Sequence, residues 1–316
     1  MRRWQSALFI GALFLGAIIG LVAPASADGF GIAVTPLLIV LLYATFLGVP
    51  FGRLASAARD TRFLIALLTL NFVAAPVVAF VLSRFVSGSQ ALLVGVLLVL
   101  LTPCVDYVIA FTRLAGGASE HLLAATPLLM LAQLALLPLY LLLFVGPGMA
   151  ASVEIAPFVH AFVLFILLPL ALAALTQLLA HRFAAARKVI RAMDAAMVPI
   201  TMATLAVVAA SQIGVVASDL GAITPVIPLF AAYLVIMPWV GATVSRLFRQ
   251  DVPRSRALIF SGSTRNSLVV LPLALALPDP LALAAVVVVT QTLVELVGMV
   301  LLVRVAPHLA RLPAAP

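Results

Sequence analysis

Asp106, Arg265 and Glu295 carry charge inside otherwise apolar stretches of this chain. A charge at the centre of a bilayer costs roughly 2.5–3.5 kcal/mol or more, so each needs a reason if those stretches span a membrane. Asp106 belongs to LTPCVDYV, residues 101–108, together with Thr102, Pro103 and the only cysteine, Cys104. Arg265 belongs to SGSTRNS, residues 261–267, where Ser261, Ser263, Thr264, Asn266 and Ser267 complete a run without an aliphatic side chain. Glu295 follows Gln291 by four residues, which places both on one helix face. Arginine stays protonated under nearly all conditions. Buried, it requires a carboxylate, carbonyls or water, and Asp106 is the expected carboxylate. Asp106 and Glu295 are the candidate proton-exchanging groups. Cys104 offers a soft sulfur to a thiophilic metalloid. Asn71 is a further polar group within an apolar stretch.

The elements that must position these residues are membrane helices. The chain has 316 residues, of which 65% are hydrophobic and 9% charged. Mean hydropathy is +1.30. Apolar stretches of about twenty residues recur from end to end, and no polar stretch is long enough for a soluble domain. Most of the net charge of +8 belongs to short loops, where Lys and Arg set orientation, so nucleic acid is not the implied partner. A single cysteine excludes a disulfide framework. No zinc-ligand spacing, Walker loop, HExxH or nucleophile–base constellation appears, so neither a cofactor, a resident metal nor an enzyme is expected.

The loop punctuation gives ten spans, near 6–23, 32–49, 63–82, 91–112, 121–144, 157–180, 195–217, 225–245, 257–277 and 281–303. The opening MRRW, an apolar core and APASADG also match the plan of a secretory signal, but that core is longer than the usual ~7–15 residues and reads as the first span. With the N-terminus inside, every one of the 18 basic residues except Arg84 and Arg265 falls on the cytoplasmic side, as the positive-inside rule requires. The expectation is a multi-pass protein of the cell inner membrane, with both termini cytoplasmic. Ten spans divide into halves at 6–144 and 157–303, and because five is odd the halves run in opposite directions. Pro103 interrupts the fourth span of one half, and SGSTRNS the fourth span of the other. Inverted halves with broken helices are the plan of many secondary transporters. The expectation is that the breaks cross and that their polar groups line one cavity, Pro103 serving as the helix breaker.

At these segments the chain resembles the bile acid/sodium symporter superfamily, most closely its arsenite-efflux branch. The resemblance is most specific at TPCVDYVIAFTRLAGG (102–117), RNSLVVLPLALALP (265–278) and VVVTQTLVELVGM (287–299). It implies ten helices in two inverted five-helix repeats, with helices four and nine broken and crossing. It further implies that Cys104 matches the cysteine used in arsenite transport and Glu295 a tenth-helix glutamate of that branch. Asn266 and Ser267 match the asparagine-containing crossover. Sodium-coupled members carry a sodium-binding glutamate and glutamine where this chain has Ser261 and Arg265. Arsenite permeases carry a carboxylate close to the place of Leu268. Together these give a carrier working by alternating access between a core containing spans four and nine and a panel of the other helices. Thr102, Cys104, Arg265, Asn266 and Ser267 would hold the substrate. Asp106, Glu295 and Gln291 would couple protons, while Pro103, Ser261, Ser263, Thr264 and Asn71 line the crossover. The substrate is arsenite or, alternatively, an organic anion held by Arg265.

Overall fold

The computed structural model describes residues 5–23, 27–48, 60–105, 107–145, 163–218 and 220–310. Among them there is no β-strand, and helices account for nearly all. In chain order these are α1 (Gln5–Val22), α2 (Ala27–Gly48), α3 (Thr61–Thr69), α4 (Ala75–Ser83), α5 (Gln90–Leu100), α6 (Tyr107–Leu114), α7 (Ser119–Val145), α8 (Leu168–Ala180), α9 (Ala184–Ser218), α10 (Val226–Leu247), α11 (Val252–Ser263), α12 (Ser267–Leu275) and α13 (Leu283–Leu309). A π-helical turn, Leu70–Ala74, joins α3 to α4 without a break. Short polar side chains start several helices by taking an orphan N–H. Asp60 accepts from Phe63 N at 3.2 Å, Ser89 from Leu92 N at 3.5 Å and Asp251 from Arg254 N at 2.9 Å.

Among the described residues, five helices are long and apolar enough to cross a membrane, and a sixth if α13, which bends after Glu295, is taken as one span. The helices α5 and α8 are apolar but shorter. At about 1.5 Å per residue, the 11 residues of α5 reach only part of a hydrocarbon core of about 30 Å. The shortfall in α5 comes from the interruption expected at 102–106.

The helices group into two compact units. The first, residues 1–49, 154–223 and 271–277, contains α1, α2, α8 and α9. There α9 packs along α1 and α2, and α8 against α2. Backbones approach closely through small residues, as membrane helices do: a Cβ on Gly16 would collide with the Ala206 carbonyl. Tyr43 Oη lies 2.8 Å from Thr176 Oγ1, and Gln177 Nε2 donates to Leu47 O at 3.0 Å.

The second unit, residues 50–153, 224–270 and 278–316, contains α3 to α7, α10, α11, α13 and the first residues of α12. Its central helix is α5, buried at every residue from Ala91 to Leu100, which suits a segment that is apolar all round. A side chain at Gly95 would meet Val287 and Ala284 of α13, so this glycine sets how close the two helices come. Residues such as Val77, Val81 and Trp239 remain exposed, which is ordinary for surface that faces lipid.

Candidate functional site: the crossover of two broken helices

Pro76 stands second in α4. It has no N–H for the carbonyl four residues back, that of Phe72, and its ring crowds that oxygen. The chain widens there into the π-helical turn, and Tyr140 of α7 donates its hydroxyl to Phe72 O at 2.5 Å. Asn71 lies inside this turn and is fully buried. Its Nδ2 donates to Leu67 O at 3.1 Å and to Ser261 Oγ at 2.9 Å.

The two breaks pair with each other. The helix α5 ends at Leu100, before Pro103, because the residue preceding a proline avoids helical geometry. Cys104 N donates to Thr264 O at 3.3 Å, and Asn266 N to Thr102 O at 2.8 Å. These bonds flank an isolated antiparallel bridge between Pro103 and Arg265. In such a pair the two facing residues exchange no hydrogen bond with each other. A proline therefore sacrifices nothing at this position, and the N–H of Arg265 points away from the bridge. It donates to Glu295 Oε2 at 2.8 Å. Gln291 Nε2 donates to the same oxygen at 2.5 Å.

The Arg265 side chain is wholly buried, at 0% exposure. Its Nη2 donates to Asn71 Oδ1 at 3.0 Å, Ser261 O at 3.0 Å and Gly262 O at 2.6 Å, and Nη1 to Leu100 O at 3.4 Å. Tyr233 of α10 places its ring face 5.5 Å from the guanidinium carbon and donates its hydroxyl to Gly262 O at 3.1 Å. Three of these acceptors are carbonyls at the C-terminal ends of α11 and α5, where helices leave C=O groups unsatisfied and carry partial negative charge. One guanidinium thus caps two half-helices. Glu295, also at 0% exposure, places a carboxyl group on the α13 side. The second break is also tied to α13 at Ser267, whose Oγ lies 2.7 Å from Thr292 Oγ1. Asn266 accepts from Val269 N at 3.3 Å and so caps α12. The Asn266 Nδ2 and Gln291 Oε1 atoms are buried without a protein partner.

Thr102, Pro103, Cys104, Ser261, Thr264, Arg265, Asn266, Ser267, Gln291, Glu295 and Asn71 do come together, all within the second unit. Asp106 lies outside the described residues, and the contacts shown for the guanidinium run to carbonyls and to Asn71. The seven-residue unwinding expected at 261–267 is shorter: α11 continues through Ser263 and α12 resumes at Ser267. The hydroxyls of Ser263 and Thr264 bond back to Ile259 O at 2.7 Å and Phe260 O at 2.8 Å, so they need no cavity. Every described residue of both breaks is buried, Thr102, Ser263, Thr264 and Arg265 at 0%; their polar groups pack on one another where an open cavity lining was expected. Sequence reasoning missed Tyr233 and Tyr140. A tyrosine inside an apolar span was the available signal, since a buried hydroxyl needs an acceptor.

Broken apolar helices pairing around buried charge define a class, the multi-pass membrane transporter. The chain belongs to the Sodium Bile acid symporter family, whose model matches residues 35–219, more than half of its length. Members of that family are transporters and not enzymes. The matched segment contains the first break and ends before the second. No curated protein matches the chain.

Proposed function

We propose that this chain is a secondary carrier that exports arsenite in exchange for protons by alternating access. In this reading it lies in the cell inner membrane with both termini cytoplasmic, and its ten spans form inverted halves at 6–144 and 157–303. The composition of the two units supports the halves. Apart from residues 271–277, the first unit takes the first two spans of each half and the second unit the last three.

The observation that carries the coupling is the Arg265 cage. Carbonyls at the ends of broken helices are where transporters hold coupling cations. Here a protein-borne cation fills that place, so sodium is not needed there and protons become the coupling ion, with Glu295, Gln291 and Asp106 as their route. The same cage weighs against the organic-anion reading. That reading needs guanidinium donors for a substrate carboxylate, and both Nη atoms already donate to protein oxygens. Arg265 is therefore a fixed countercharge, and Cys104 is the sulfur ligand, with Thr102, Asn266 and Ser267 beside it. One thiolate holds a metalloid loosely, which suits a carrier that must release it.

The test is growth of an arsenite-sensitive bacterium that expresses the chain or its Cys104→Ser variant. Protection by the parent that the variant loses is the expected result. Absence of protection by a parent that reaches the membrane, or equal protection by both, overturns the assignment.

A further inference from the structure

We propose that the turn between α8 and α9 is a binding site for acidic phospholipid headgroups of the surrounding bilayer. Four basic residues, Arg182, Arg187, Lys188 and Arg191, lie within ten positions of one another at the N-terminal end of α9, and all four are exposed. At about 3.6 residues per turn, Arg187, Lys188 and Arg191 share one side of the helix. Arg187 also ties the turn together, donating to Ala180 O at 2.9 Å. Arg182, Lys188 and Arg191 have no ion-pair partner among the described residues, although Asp194 is only three positions from Arg191.

These charges are not there to stabilise the helix, because basic residues near a helix N-terminus oppose its dipole. What flanks them is apolar. Leu178 is 67% exposed and Phe183 56% exposed, and the apolar part of α9, a candidate span, follows directly. A basic patch with exposed apolar side chains at the end of a span matches a lipid of acidic headgroup and apolar tail. Orientation during insertion counts basic residues in short loops and does not require that a folded patch retain lipid; the two roles separate in the purified protein.

The experiment measures thermal unfolding of the full chain in an uncharged detergent, with added phosphatidylglycerol, phosphatidylcholine or inorganic phosphate. Phosphatidylglycerol should raise Tm by several degrees more than phosphatidylcholine. In the variant Arg182→Gln/Lys188→Gln/Arg191→Gln that excess should vanish while Tm in phosphatidylcholine stays at the parental value. Should the triple variant not fold, Lys188→Gln alone should show a smaller excess than the parent. Equal shifts with the two lipids, an undiminished excess in the folded variants, or an equal shift with inorganic phosphate would each overturn the proposal.

Discussion

At the scale of the residue, Arg265 decides most. Its guanidinium meets an amide oxygen, helix-end carbonyls and an aromatic face, a set of partners built for a cation. Arg265→Met would leave those oxygens facing an apolar side chain. Removing one member of a buried charged set costs about 3–5 kcal/mol, so the variant should unfold at a clearly lower temperature in detergent. Arg265→Ala opens enough room for a small monovalent cation. In this variant, sodium should raise Tm and transport should acquire a sodium requirement; parental transport that already depends on sodium would sink the idea of a built-in cation. Glu295→Gln keeps an oxygen to accept from Arg265 N but loses the charge. It should fold and yet no longer drive substrate movement with an imposed proton gradient. The sequence announced the charges, because a lone arginine or glutamate in an apolar run is conspicuous. It did not announce the cage, since backbone carbonyls carry no residue signature.

At the scale of the element, the π-helical turn positions Asn71, and its cause is legible after the fact. Pro76 disturbs the hydrogen bonding of Phe72, and Tyr140 donates to that carbonyl. Tyr140→Phe should therefore destabilise the protein by about 0.5–1.5 kcal/mol. If Pro76 is the origin, Pro76→Ala restores the ordinary N–H donor to Phe72 and removes the need for the hydroxyl. The double variant should then unfold at a temperature close to Pro76→Ala alone. Strict additivity of the two losses would mean that the tyrosine and the proline act independently. Sequence reasoning placed both breaks within the right segments, because Pro103 and the polar run 261–267 stand out against apolar surroundings. The second break is shorter than that polar run because a hydroxyl does not require an unwound chain. Ser263 and Thr264 satisfy theirs on the preceding helical turn, and only Thr264 to Asn266 leave the helix.

At the scale of the whole molecule, the second unit gathers loops whose sidedness the proposed ten spans predict. Arg254 pairs with Asp60 at 2.8 Å, His121 Nε2 lies 3.4 Å from the same carboxylate, and Arg256 donates to Ala115 O at 2.8 Å. Three loops, near 60, 115–121 and 251–256, therefore meet at one end. At the far end of the rod formed by α3, the π-helical turn and α4, Arg84 donates to Phe144 O at 3.1 Å. In the proposed ten-span reading with the N-terminus inside, the first three loops lie in the cytoplasm and both 84 and 144 outside. Cys104 is the only cysteine, so Cys104→Ala gives a background without thiols. In that background an impermeant maleimide added to intact cells should label Ser87→Cys, and should label Glu120→Cys only after the cells are permeabilised. Ser87 and Glu120 are both exposed, so lack of reaction would not arise from burial. Labelling of both in intact cells would place the two loops on one side and break the crossing parity. Labelling of Glu120→Cys alone would reverse the orientation while leaving the count of crossings between them intact.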